Sequence, residues 1–469
     1  KAVPTLVALA RDREASVRAQ AVSALGRIGG GGAKGVKALK RACKDKSWKV
    51  RYQAAKALGK LNDPSVAPDI IRLLGDRVWG VREAASSALQ RWGKLAVPAL
   101  KAALNHSKWM VRKAAAELLG ALEAKGAVEP LIKKAQDPSP HVRNAAVAAL
   151  GKLKDIRGVS AIVRALSDKN SFVRRSAAKA AAALGDPRAT DALLSLLKDN
   201  EPSVREAACQ ALGALKANKA VGPLVKVLGD KKGVVREAAA RALGEIGSVA
   251  GASALVKRLR DKDAMVRSAA GVALGRIGVS ALPYLKKALE SKRAKVRESV
   301  ARALGGMRAP KTTGLLLKLA GDRDKRVRTR ALKSLETLGS QAQKELEKAL
   351  RSGTVKVKVA AAAALGRLKG AAAVTALLAA IGDKSSLVRA AVCQALGRSR
   401  DKRAVAPLVK RVQDDSWKVR RAAVKALGRF DGEAVVSALT AAVKDPSAPV
   451  RKAALKALSR VKVRARSGL

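Results

Sequence analysis

Apolar residues return along this chain in a single register. In 50–61, VRYQAAKALGKL, the positions Val50, Ala54, Ala57, Leu58 and Leu61 fall at i, i+4, i+7, i+8 and i+11. That spacing lines one face of a helix, with polar residues on the other. Gly59, near the end of the run, reads as a C-terminal signal. A shorter helix is predicted over 66–74, VAPDIIRLL, where Pro68 occupies a start position that needs no N–H. Pro4, Pro98 and Pro283 hold the same register. Turns such as 137–140, Asp-Pro-Ser-Pro, separate the two helices.

This two-helix unit occurs fifteen times. Val-Arg marks the start of each second helix, from Val17-Arg18 to Val450-Arg451, and only the twelfth copy, Val357-Lys358, replaces the Arg. The first step is 33 residues and the rest are 30 or 31. One helix pair cannot bury its stripe, but a stack can, and Ala on the stripe allows close approach. The expected organisation is one solenoid over 1–461 and a basic tail over 462–469. The unit D-x-x-x-x-V-R-x-x-A-A-x-A-L-G-x-L resembles the bacterial HEAT repeat, the short type also found in phycobilin lyases. The resemblance implies an all-α fold, an α-solenoid winding as a right-handed superhelix of about fifteen two-helix repeats, second helices on the concave face. It implies no single activity.

Five residues before the marker Val stands an Asp in twelve repeats. The exceptions, His106, Ser291 and Ser352, lie in the three repeats reached by a 30-residue step. Arg suits carboxylates, so a structural ladder is expected, each Arg reaching an Asp in its own or the neighbouring turn. No copy differs in its surroundings, and no isolated acid–base group stands out. No enzyme activity and no catalytic residue are therefore expected.

Aromatics are only 2% of the chain, so the core must consist of Ala, Val and Leu, with Trp92 at a stripe position. No apolar run reaches the length of a membrane span. The chain begins at Lys1, which is compatible with a removed leader, and a cytoplasmic location is expected. Cys43, Cys209 and Cys393 are too scattered for a disulfide framework. Cys209 and Cys393 replace stripe Ala and should be buried. His106 and His141 lie in turns one repeat apart, a poor basis for a metal site, and neither metal nor cofactor is expected. The absence of any His-Glu dipeptide speaks against hydroxylases of HEAT type. Gly30 and Gly35 have phosphate-loop spacing, but Val36 stands where its Lys belongs; the stretch reads as an insertion.

Charge changes the picture most. Lys plus Arg is 96 against 37 acidic residues, a net +59. The ladder, with nearly equal numbers of both signs, absorbs almost none of it. Positions two and six after the Val, predicted exposed, carry Lys56, Lys113, Arg175, Lys179, Arg421, Lys425, Lys452 and Lys456. Glu237–Arg241 and Glu298–Arg302 should pair along their helices. A second row near the helix ends includes Arg367, Arg398 and Arg429, where cations also suit the helix dipole. Other cations lie on the first helices, and the tail adds Lys462, Arg464 and Arg466. The first expectation is a basic, non-enzymatic scaffold binding nucleic acid or another polyanion through diffuse phosphate contacts. Trp48, Trp79 and Trp109 sit two residues before the Val in consecutive repeats, with Tyr52, Lys46, Lys49, Arg77 and Lys108 nearby. They suit a platform for stacked bases or a protein partner, or else pack over the neighbouring turn. The alternative is therefore a protein-interaction scaffold for an acidic partner. A HEAT-type DNA glycosylase or a lyase subunit is a further alternative. The bare protein is expected to be monomeric and to assemble only with an anionic partner.

Overall fold

The computed structural model describes residues 2–368 and 370–467, with side chains described as far as Val461. Every regular element among the described residues is helical, and thirty α-helices form fifteen consecutive pairs. The fold is an all-α solenoid of two-helix repeats. The chain divides into two packed units, Lys1–Ala242 and Leu243–Leu469. The division falls inside Gly233–Ile246, the second helix of repeat 8.

Repeat 5 shows how the sequence makes the unit. Its first helix, Val128–Lys134, is only seven residues long. So short a helix is held by packing rather than propensity, and Val128 and Leu131 are fully buried. The second helix, Pro140–Leu153, starts on Pro140, whose missing N–H costs nothing there. Asp137 closes the turn before it by accepting from the Ser139 amide at 3.0 Å. Val142, Ala146 and Leu150 form the buried stripe.

Gly59 caps the C-terminus of Trp48–Leu58 as expected, but the glycine nine residues after the Val plays a further part in other repeats. Gly151 lies inside Pro140–Leu153 rather than beyond it. A Cβ there would stand 2.7 Å from the Ala180 Cβ of the next repeat, closer than carbon atoms approach. Gly120, Gly366 and Gly397 make the same contact with Ala149, Ala395 and Ala426. The glycine thus sets how closely second helices pack. Helix termination comes three residues later, where Lys154 adopts φ +50°. Gly185, Gly278 and Gly339 hold that left-handed position without strain; Asn62, Glu123, Lys216, Arg308 and Arg400 hold it as non-glycine residues.

One long apolar stretch, 264–289, reaches a mean hydropathy of 1.2. It is two helices, Ala264–Ile277 and Leu282–Leu289, interrupted at Gly278 with φ +82°. Leu274 and Leu285 are core residues of these two repeats. The last helix, Ala448–Ser467, continues through most of the segment expected to be a tail. The side chains of Lys462, Arg464 and Arg466 lie outside the described residues.

Candidate functional site

The ladder forms, and it crosses from each repeat to the next. Arg51 donates from Nε and Nη2 to the two oxygens of Asp76, at 2.6 and 2.9 Å. Its Nη1 donates to the Asp45 and Lys46 carbonyls of its own turn, at 2.8 and 2.9 Å. Asp76 also accepts from the Val78 amide at 2.9 Å. Each rung therefore ties two turns together and closes the second. Burial pushes the Asp76 pKa upward, but the Arg51 hydrogen bonds, the Val78 amide and the Arg51 charge outweigh it and hold the carboxyl below its usual range. Lys358, the lone Lys of the ladder, reaches Asp383 at 2.8 Å.

The ladder breaks where Asp is missing. Among the described residues, Arg82, Arg267 and Arg328 meet only the backbone carbonyls of their own turns. His106 keeps the turn-closing role, with Nδ1 accepting from the Lys108 amide at 3.0 Å, but offers Arg82 no carboxylate. His141 lies in the first turn of Pro140–Leu153 rather than in the preceding turn, and stacks on Trp109, centroids 4.8 Å apart. Each histidine therefore has a structural task, and no group of three potential metal ligands occurs among the described residues.

The Trp row stands on the surface. Trp48, Trp79 and Trp109 are 45%, 68% and 41% exposed. They begin the helices Trp48–Leu58, Trp79–Trp92 and Trp109–Ala121 of consecutive repeats. Trp109 stacks on His141 of the next repeat. Trp92, by contrast, is core, and its Nε1 donates to the Gly59 carbonyl at 3.1 Å. Phe172, exposed near the start of Ser171–Leu184, stands one residue before its Val and so lies off the Trp register, which Pro140 holds in repeat 5.

The cations divide into free and engaged. Lys179, Lys425, Lys452 and Lys456 are exposed. Lys56 is exposed and lies over the Tyr52 ring at 5.3 Å. Position two after the Val is less open than expected, because the neighbouring repeat covers it. Arg175 is half-buried over Phe172, and Arg421 over Trp417, at 5.6 and 5.4 Å. Lys113 is neutralised by Glu117 at 3.1 Å. Glu237 and Arg241 pair as expected. Glu298 does not pair with Arg302; it faces Arg330 of the next repeat at 3.9 Å, while Arg302 donates to Ser268 at 2.9 Å. Burial and the neighbouring Arg367 and Arg429 push the Arg398 pKa down, while Arg367 itself pairs with Glu336 of the preceding repeat at 3.0 Å.

Two features were not legible in the sequence. One is a groove of about 960 Å³ between the first helices of repeats 7 and 8, lined by Leu194, Leu197, Pro223 and Val227 with Lys198 and Lys226 at its edge. Its apolar residues fit the core stripe and gave no separate signal. The other is the open side of Arg82, which only the absence of Asp at 106 could have announced. Cys43, Cys209 and Cys393 are buried, and burial pushes each thiol up to about 12.

The HEAT-repeat family model matches residues 3–90, 97–161, 128–207, 190–275, 223–295, 282–355, 343–417 and 405–467. The chain belongs to the HEAT-repeat family. Among solved structures this HEAT protein is similar to importin beta crystallised in ammonium sulfate: 15% identity, 98% of this chain and 74% of that one covered, TM-score 0.45. It is also similar to a chain of the Kap95p–RanGDP structure, at 14% identity, with 99% and 79% covered and a TM-score of 0.43. For the karyopherin Kap121p the values are 13% identity, 99% and 68% covered, and a TM-score of 0.48. These likenesses concern the fold alone. No curated protein matches the chain.

Proposed function

We propose that this HEAT solenoid is a non-enzymatic interaction scaffold whose partner is an acidic protein. The observation that carries the reading is the row of exposed indoles in consecutive repeats. Trp is favoured at interface hot spots because it supplies a large, stiff contact area. Cations around the row, Lys46, Lys49, Arg77 and Lys108, select for negative charge and speed encounter. The sequence-based preference for nucleic acid thus moves to second place. Binding of a synthetic peptide rich in Asp and Leu tests the first reading. Trp48→Ala, Trp79→Ala and Trp109→Ala together should weaken binding about tenfold or more while leaving melting unchanged. Unchanged binding with early melting would assign the indoles to packing.

The exposed Lys179, Lys425, Lys452 and Lys456 favour a second reading, a phosphate polyanion such as nucleic acid held by diffuse contacts. Its affinity for duplex DNA should fall steeply with salt. Charge reversal at Arg421, Lys425, Lys452 and Lys456 should weaken it, and the Trp changes should not. DNA binding indifferent to both salt and charge reversal would overturn it.

A further inference from the structure

The first break in the ladder lies inside the Trp row. Arg82 is the fourth residue of Trp79–Trp92, and the residue that replaces its carboxylate partner, His106, stands three residues before Trp109. One exposed indole therefore begins the helix that carries Arg82, and another follows the turn that would have supplied its Asp. Arg82 is half-buried and held by its Nη1, which donates to the Asp76 and Arg77 carbonyls at 2.8 and 3.0 Å. In an intact rung such as Arg51–Asp76, Nε and Nη2 both donate to carboxylate oxygens. In Arg82, among the described residues, they meet no acceptor.

The surroundings supply donors rather than acceptors. With its Nδ1 accepting from Lys108, neutral His106 carries its proton on Nε2. Asp76 is fully engaged by Arg51 and the Val78 amide. Glu83 is the other nearby carboxylate, and it lies one position further along the helix, at an exposed site. The other two breaks differ. Arg267 is followed by Ala294 and Arg328 by Val355 at the position of Trp109, so neither has an indole on both sides.

We infer that Arg82 is a socket for a carboxylate of the partner, whose Asp or Glu completes the ladder rung while apolar residues on either side of it pack on Trp79 and Trp109. This rests on the proposed scaffold function and specifies the ligand. The Arg is pre-positioned by its own turn, and the fork geometry of guanidinium favours a bidentate carboxylate. Trp109 is steadied by His141, so little freedom is lost on binding. Stacked helices lie about 8–10 Å apart, and an extended chain of polyproline-II type advances about 3.1 Å per residue with three residues per turn, so residues three apart share one face. The ligand is therefore an extended acidic segment with apolar residues three apart and an acidic residue between them.

The probe is a fluorescein-labelled peptide of repeated Leu-Asp-Glu triplets, with a same-composition peptide whose leucines are adjacent as control. His106→Asp restores the missing carboxylate from within the chain. It should weaken peptide binding about tenfold while melting is unchanged or raised, a combination that damage to the fold cannot produce. Arg82→Gln should weaken binding equally. Ser291→Asp, which closes the break at Arg267, should leave it unchanged. If the triple Trp change abolishes binding but His106→Asp and Arg82→Gln do not affect it, the socket is wrong and the scaffold reading stands. If the wild-type protein binds neither peptide, both fall. Equal affinity for the two peptides would overturn the spacing, and duplex DNA binding that His106→Asp abolishes would reassign the socket to phosphate.

Discussion

Gly151 and Lys154 lie three residues apart and answer opposite constraints. At Gly151 the backbone is ordinary helix and the limit is space: Ala180 stands where a side chain would go. Gly151→Ala gains helix propensity of about 1 kcal/mol but must push apart two helices in contact along their length. Overpacking of this kind costs about 1–3 kcal/mol, so the net effect should be destabilising, visible as a lower urea midpoint. At Lys154 there is room, and the limit is φ +50°. A non-glycine residue in that region carries roughly 1–2 kcal/mol of strain, so Lys154→Gly should raise the midpoint. If both variants shift it in the same direction, space and backbone strain have been wrongly assigned. Reading Gly as a helix terminator merged these two roles, because sequence shows where a glycine recurs and not which neighbour it faces.

At the scale of elements, the helix pairs, the buried stripe and the ladder were legible because each depends on a repeating local register. What was not legible depends on the neighbouring repeat. The ladder was expected within or between turns, and the structure settles it as a crossing from Arg112 to Asp137, Arg143 to Asp168 and so on. Likewise Glu298 prefers Arg330 across the seam to Arg302 on its own helix. The ladder also sets the response to acid. Asp76, Asp137 and Asp168 have carboxyls held below the ordinary range: burial opposes ionisation, and the Arg hydrogen bonds and turn amides overcome it. A depressed folded pKa adds stability that is complete above the unfolded value, about 3.9, and is lost as pH falls through the folded value. The urea midpoint should therefore hold from neutrality to about pH 5 and fall steeply below about pH 4. Asp137→Asn should cost about 1–3 kcal/mol at neutral pH and make the acid loss shallower. A midpoint that rises toward pH 3 would overturn the assignment.

At the scale of the whole molecule, stability is a sum of seams between repeats, set against the self-repulsion of a +59 chain. The seams are unequal. Repeats 3 and 11 lack the close-packing glycine, having Gln90 and Glu336 in its place, and their Arg82 and Arg328 lack a carboxylate. The two omissions coincide in these repeats without being linked in general: in repeat 9 Arg267 also loses its Asp but Gly275 is kept, and repeat 6 has Ala182 with an intact Arg174–Asp199 rung. Second helices at the 3–4 seam in the first unit and the 11–12 seam in the second meet over a smaller contact than those of repeats 4 and 5. At the 11–12 seam an open cleft of about 450 Å³, lined by Leu317, Ser352 and Val357, separates the first helices. These seams should be where each unit opens first. Self-repulsion acts on every seam alike, so screening should stabilise all of them and the weak ones should still rank last. Hydrogen exchange at low ionic strength should find the amides of 79–92 and 325–338 less protected than those of 140–153. Raising salt to about 0.15 M, where the Debye length is about 8 Å, should slow exchange throughout and preserve that order. Uniform protection across the three helices, or faster exchange with added salt, would show that neither the missing rungs nor the net charge governs how this molecule opens.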